Sequence, residues 1–570
     1  MRSKGCSNLN IYIYALALLV TCTYASRSES FTERLSLRQL PDGRVESYFR
    51  FDVNVTANNE GVYRHFNLLP QALGNLAHRY SIEHLDISFT QGRWQYDKWG
   101  PPNREQGIGT GSEIVVWLDD NFEGDLGQQN IDLRWAGLTA ELAGLFCASL
   151  NFIDSSLTYS PKRTFVKPDT GHHTASTLRT GHLAGETVCT ENLTPFIKLL
   201  PCRDRAGLAV LFDGHALYGA DFHNMAVSLT RHRPQTDSTT IYIRQTLQTI
   251  HNPIRTSILS KGEKRGKRDW SLDILFSKRL QILRHLDGSI TASCPLAKSS
   301  KIEVDLSGKG GVHGAYWTWP KTEEKEGDKI LWDLSHLEHY EVAEGSQFDT
   351  DAYFDLGMKW NEDTFQRSSS LQSQAIEFRR YLTGTGGERG GMRFEIQNNH
   401  HTTYNGSLTV NLPWLIRPFL HTLRIFIQSD PIQGSSVSNH GPVIQEMLYQ
   451  PAIDRLRPTE LEVLLSIPAY TRLHILFLFE KTFIRYSEYP PDANRGFDIA
   501  PAILTTAKHI SSDDDTFPGI LYTTNALLDL STPDFSMCYN VIILSCTVIS
   551  LIFGSTMNIL LRNFELKAEP

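Results

Sequence analysis

The sequence predicts a mainly β protein, with lumenal β-sandwich domains carrying a few helices and one C-terminal transmembrane helix. Three observations predict it. Short runs approach period-two alternation between turn residues, the N-terminus is built like a secretory signal, and a long uncharged run lies near the C-terminus.

In chain order, Arg2 and Lys4 precede the apolar Ile11–Cys22, and Thr23-Tyr24-Ala25 places small side chains before a cut. Residues 1–25 therefore read as a signal peptide removed after Ala25, and the polar turn at Ser26 disfavours an uncleaved anchor. Residues 26–265 read as an N-terminal lumenal β-rich domain. Its clearest strands are Arg44–Val55 and Thr239–Thr249, which approach alternation. Two segments read as helices: Gln71–Tyr80, after a proline, and Asp132–Leu150. The second sets Leu138, Leu142, Leu145 and Phe146 on one face, as a core stripe.

The charged stretch Ser260–Asp269 marks the expected junction, and residues 266–538 read as a C-terminal β-sandwich domain. Leu408–Leu412, Leu423–Ile427 and Arg472–Phe479 are its β-branched and aromatic runs. Arg265–Arg268 would suit a furin-type protease, but an exposed interdomain loop is the simpler reading. Gly384–Gly391 reads as a second loop.

Residues 539–561 read as the membrane helix. The uncharged run Val541–Leu561 spans ~31 Å at ~1.5 Å per residue, about one hydrocarbon core. Arg562 and Lys567 follow it and Asp534 precedes it, so the positive-inside bias makes 562–570 a cytoplasmic tail and the chain type I, single-pass. The charged run after the span argues against a cleaved lipid-attachment signal. Along the helix, Cys546, Ser550, Gly554 and Asn558 form a small and polar stripe suited to packing against partner helices or a lipid-linked substrate.

A content of 41% apolar and 21% charged residues is that of globular domains with real cores, and a net charge of -8 argues against a nucleic-acid partner. In an oxidising lumen the cysteines that matter are Cys147, Cys189, Cys202 and Cys294, with Cys538 at the membrane edge. They permit two internal bridges, or one thiol reserved for another chain. Sequons for N-glycosylation begin at Asn54, Asn192 and Asn405, and Pro195 weakens the case for the second.

No catalytic constellation emerges. Gly107–Gly111 and Ser307–Gly311 lack phosphate-loop spacing, and there is no nucleophile elbow. The adjacent pairs His172-His173 and His400-His401 point to opposite faces of a strand, a poor geometry for one metal. Asp513-Asp514-Asp515 reads as a solvated loop. Dispersed carboxylates keep a glycosidase-like lumenal hydrolase open as an alternative, and a single-span cell-surface adhesion or receptor protein is the other.

Several long strings then narrow the choice: Ser88–Pro102 (SFTQGRWQYDKWGPP), Gly144–Asp154 (GLFCASLNFID), Val188–Cys202 (VCTENLTPFIKLLPC), Glu488–Phe497 (EYPPDANRGF) and Thr532–Asn540 (TPDFSMCYN). Together they resemble the PIG-T family, the large lumenal subunit of the GPI transamidase complex, from about residue 30 through the membrane span. The resemblance implies a non-catalytic structural subunit of the endoplasmic reticulum membrane that needs no cofactor. It would hold the caspase-like catalytic subunit PIG-K and sit beside PIG-S, PIG-U, the GPI lipid and the precursor proteins. It also implies that Cys189, in the VCTENLTP string, forms an interchain disulfide with PIG-K. A bridge from Cys189 to nearby Cys202 is the competing pairing, its short loop worth ~3 kcal/mol on chain-entropy arguments. The chain departs from the family pattern at Cys538, where that pattern has proline.

Overall fold

This computed structural model describes residues 28–58, 67–100, 102, 109–120, 131–168, 175–233, 238–261, 269–284, 290–305, 315–318, 324–326, 329–335, 353–360, 375–384, 387–429, 443–489, 495–506, 519–532 and 536–562. The expected signal peptide, Arg265–Arg268, His172-His173, Ser307–Gly311, Asp513–Asp515 and nearly all of the tail lie outside the described residues.

The fold is strand-dominated, as the alternation predicts. The first sheet has eleven strands, in the order Glu324–Glu326, Lys329–Asp333, Ser299–Asp305, Ser28–Gln39, Val45–Asn58, Ser238–His251, Phe222–His232, Ile82–Gln91, Gly111–Asp119, Ser176–Leu183 and Thr158–Tyr159. Its pairings are antiparallel except one, where Thr32–Arg38 runs parallel to Ser299–Asp305. Along Val45–Asn58 the period-two rule sends Phe49, Phe51, Val53 and Val55 into the core. Tyr48, Arg50, Asp52 and Asn54 therefore line the opposite, polar face.

Helices cover the apolar face. The expected helices are Gln71–Arg79 and Ile131–Phe146, the latter closing sooner than its periodicity suggested and followed by a 3-10 turn at Leu150–Phe152. Leu138, Leu142 and Phe146 are buried, Leu145 is partly buried, and Phe146 meets Phe89 of the sheet with ring centroids 5.4 Å apart. A third helix, Thr190–Lys198, seats Leu193 and Phe196 in the same core, and Gln245 Nε2 donates to the Phe196 carbonyl at 3.0 Å.

The chain passes between cores later than the charged stretch at 260–269 suggested. Trp270, Leu272, Ile302, Ile330, Trp332, Phe354 and Met358 all belong to the first core, and the second begins at Ile376. Charge and glycine mark exposed chain in general, which occurs within a domain as readily as between two.

The second core is a β-sandwich of two antiparallel sheets. One runs Ile376–Thr383, Arg389–Asn398, Thr471–Lys481, Ile416–Ser429; the other runs Ile444–Gln450, Thr459–Ile467, Tyr404–Leu412, Ile503–Thr506, Ile520–Tyr522. Phe394, Ile396, Leu408, Val463, Leu473 and Phe477 fill the space between them. A strap from the first unit binds it. Glu462 accepts from the Lys162 and Arg163 backbone N–H groups at 3.1 and 3.2 Å, and Phe165 packs on Ile503, Ile520 and Tyr522.

One helix, Ser536–Leu561, stands apart from both cores. It is long and apolar enough from Met537 to Leu561 to cross a membrane, and none of that window is buried within the chain. The expected packing stripe lies on it: Ser550, Gly554 and Asn558 are exposed, and a Cβ on Gly554 would meet nothing within 4 Å.

Candidate functional site

Cys189 is an exposed free thiol, and Cys202 is bonded to Cys294 across a sequence separation of 92. The internal Cys189–Cys202 bridge left open by the sequence is thus absent, because Cys202 is spent on a more distant partner. Cys147 is also exposed and free.

Local chemistry explains why Cys189 is held still while its thiol remains open. It is the N-cap of the helix Thr190–Lys198, in extended conformation at φ -138° and ψ 179°. Asn192, at the third helical position, reaches back and accepts the Cys189 N–H on Oδ1 at 2.8 Å. Its amide nitrogen donates to the carbonyls of Phe146 at 2.9 Å and Cys147 at 3.1 Å. That contact satisfies orphan carbonyls where Ile131–Phe146 ends. Cys147 itself turns the chain there in the left-handed region, at φ 53°. One buried amide therefore joins the end of one helix to the start of another, and the two free thiols flank it.

Tyr218 completes the seat by donating its hydroxyl to the Cys189 carbonyl. Burial, with Cys189 adding to it, pushes the Tyr218 phenol well above its ordinary range. His223 packs edge-on to Tyr218 with centroids 4.8 Å apart, and burial pushes its imidazole down to about 4, so it is neutral at neutral pH. The site thus offers a hydrogen-bonded backbone and an exposed sulfur. That suits covalent attachment to another chain.

The disulfide has its own support. Glu33, buried in the first strand, accepts from Cys294 N–H at 3.1 Å, Leu208 N–H at 3.1 Å and Ser300 Oγ at 2.7 Å. Burial pushes its carboxyl up, against the opposing pull of those three donors. Gly207 stands at φ 75°, and a Cβ there would sit 2.5 Å from both Glu33 oxygens.

The remaining predicted positions are scattered rather than gathered. Asn54 and Asn405 are exposed on strands. Asn192 is only 2% exposed, with both ends of its amide engaged, which leaves no open side for a glycan. Its role as a cap was missed; the readable signal was the Cys-x-x-Asn spacing, matching N-cap and third helical position. His400 and His401 are neighbours whose rings lie 4.0 Å apart, His400 bonding Thr402 Oγ1 at 2.7 Å. No group of three or more metal-ligating side chains occurs among the described residues.

A groove of about 780 Å³ runs along the polar face of the first sheet, lined among others by Arg34, Tyr48, Arg50, Trp117, Arg244 and Tyr522. Its charges are largely spent on each other: Asp52 takes Arg50 Nε at 2.6 Å and Arg244 Nε at 3.0 Å.

The profile of the family described as "Gpi16 subunit, GPI transamidase component" matches residues 15–570. The chain is 33% identical to the human GPI-anchor transamidase component PIGT, over 96% of this chain and 93% of that protein. It is 30% identical to the GPI transamidase component GPI16 of Saccharomyces cerevisiae, over 93% of this chain and 88% of that one. To the PIG-T homolog of Schizosaccharomyces pombe it is 29% identical, over 99% and 95% of the two chains. The chain belongs to the Gpi16 family of GPI transamidase components.

Proposed function

We propose that this chain is the non-catalytic scaffold of its GPI transamidase, holding the caspase-like subunit PIG-K through a disulfide at Cys189. The observation that carries the reading is the exposed Cys189 sulfur on a backbone fixed by Asn192 and Tyr218, while Cys202 is committed to Cys294. A covalent link makes docking effectively intramolecular, so the protease remains in place without a large interface. The membrane helix keeps the assembly in the plane where the GPI lipid arrives. Its stripe of Cys546, Ser550, Gly554 and Asn558 packs against the membrane subunits, PIG-S and PIG-U among them. The bulk of the chain is lumenal in the endoplasmic reticulum as a type I protein. Precursor proteins are presented to PIG-K's nucleophile, this chain contributing none.

Cys189→Ser tests it. The reducible heterodimer on non-reducing gels is expected to vanish, while part of the complex still co-purifies in mild detergent. A heterodimer that survives the substitution overturns the choice of cysteine. Turnover by the purified chain without partners overturns the non-catalytic role.

A further inference from the structure

The sandwich carries exposed apolar tips on a loop and turn bonded to the segment that precedes the membrane helix. The loop Thr482–Tyr489 leaves the strand Thr471–Lys481 and exposes Phe483 to 79% and Tyr486 to 52%. Ile453, on the neighbouring turn, is 45% exposed. The turn and the loop are fastened together, since Arg455 pairs with Glu488 (Nη2 to Oε2 at 3.0 Å) and stacks on Trp414 at 4.7 Å. Arg485 N–H donates to Glu488 Oε2 at 2.6 Å, which folds the loop into a single short turn.

This loop is tied to the segment that feeds the membrane. Tyr489 donates its hydroxyl to the Ser531 carbonyl at 2.7 Å, and Lys481 Nζ donates to the Asp529 carbonyl at 2.6 Å. From Ser531 to Ser536, where the helix begins, a fully extended chain reaches at most ~18 Å. Val541, the first residue of the uncharged run, lies ~8 Å farther along the helix axis. The headgroup layer itself is ~5–8 Å deep on each side. The tether therefore holds the Ser531 carbonyl, to which the loop is bonded, within ~26 Å of the hydrocarbon edge.

We propose that the loop Thr482–Tyr489 is a membrane-contacting loop that rests in the lumenal headgroup layer, with Phe483 and Tyr486 inserted and Arg485 facing lipid phosphates. Aromatic rings favour this layer because it accepts an apolar body and a polar tip together. Arg485 is exposed beside them, and a guanidinium there meets phosphate with matched geometry. Seated this way, the sandwich has a fixed height and tilt over the bilayer, rather than swinging on its tether.

The test uses the full chain in phosphatidylcholine nanodiscs. Cys147, Cys189, Cys538 and Cys546 are replaced by serine, and a nitroxide is placed at F483C. A second sample carries the label at L133C, on the first unit, where Leu133 is 62% exposed. Collision rates are read with oxygen, which concentrates in lipid, and with a water-soluble nickel chelate. The expected oxygen-to-nickel ratio at 483 is severalfold that at 133. Equal ratios would overturn the proposal, placing the loop in water. An immobile label shielded from both reagents would also overturn it, by placing a protein surface, from a second copy or elsewhere in the chain, over Phe483.

Discussion

Asn192 accepts the Cys189 N–H at 2.8 Å, so the asparagine that opens a glycosylation sequon spends its amide on holding a thiol's backbone. The same side chain bonds the Phe146 and Cys147 carbonyls, making the seat of Cys189 a property of two helices.

Replacing Asn192 by Ala removes an acceptor and two donor contacts at a buried position. Loss of such bonds costs about 1–3 kcal/mol through the groups left unpaired. Urea unfolding of the full chain in detergent should register that loss, and the yield of the heterodimer proposed through Cys189 should fall with it. An unchanged midpoint would remove Asn192 from the account.

Glycan occupancy should follow exposure rather than motif. Enzymatic deglycosylation in heavy-oxygen water, followed by peptide mapping, is expected to mark Asn54 and Asn405 and to leave Asn192 unmarked. A glycan at Asn192 would mean that the helix Thr190–Lys198 is seated differently.

Gly207→Ala should be costly for two reasons. The residue needs φ 75°, and the added carbon would press on both Glu33 oxygens and, at 2.8 Å, on the Cys294 backbone nitrogen. Overpacking and backbone strain together predict a loss of about 2–4 kcal/mol. Slower formation of the Cys202–Cys294 bridge, followed by non-reducing peptide mapping, is the second readout. A melting midpoint equal to that of the parent chain would contradict the steric argument.

Stability should carry a pH signature from Glu460. Burial, with the charge of Glu462 beside it, pushes the Glu460 carboxyl from 4.5 up to about 7. The native state therefore binds this proton more tightly than the unfolded chain does. Its contribution is complete below pH 4.5 and is lost as the pH rises through about 7. Glu460→Gln removes the dependence while keeping an acceptor near the Ser160 N–H. It should exceed the parent by ~1–3 kcal/mol at about pH 8 and by much less in acid. A difference independent of pH would assign the effect to packing alone.

Much of this molecule is legible in its sequence. Alternation at Arg44–Val55 and Thr239–Thr249 marked the strands Val45–Asn58 and Ser238–His251, the Leu138/Leu142/Leu145/Phe146 stripe marked a core helix, and the uncharged run Val541–Leu561 marked the helix Ser536–Leu561, because each of these signals is local. The PIG-T-like strings pointed to the family without naming any geometry. What only the tertiary structure decided depends on segments distant in the chain. Cys202 is bonded to Cys294, 92 residues away, while Glu33 of the first strand holds the Cys294 and Leu208 N–H groups. Ser299–Asp305 joins the first sheet by a parallel pairing that no hairpin spacing announces. Asn192 becomes a cap because Ile131–Phe146 ends beside it. Periodicity and composition are read along one strand or helix, whereas pairing, burial and the freedom of a thiol are settled by what packing brings up against it.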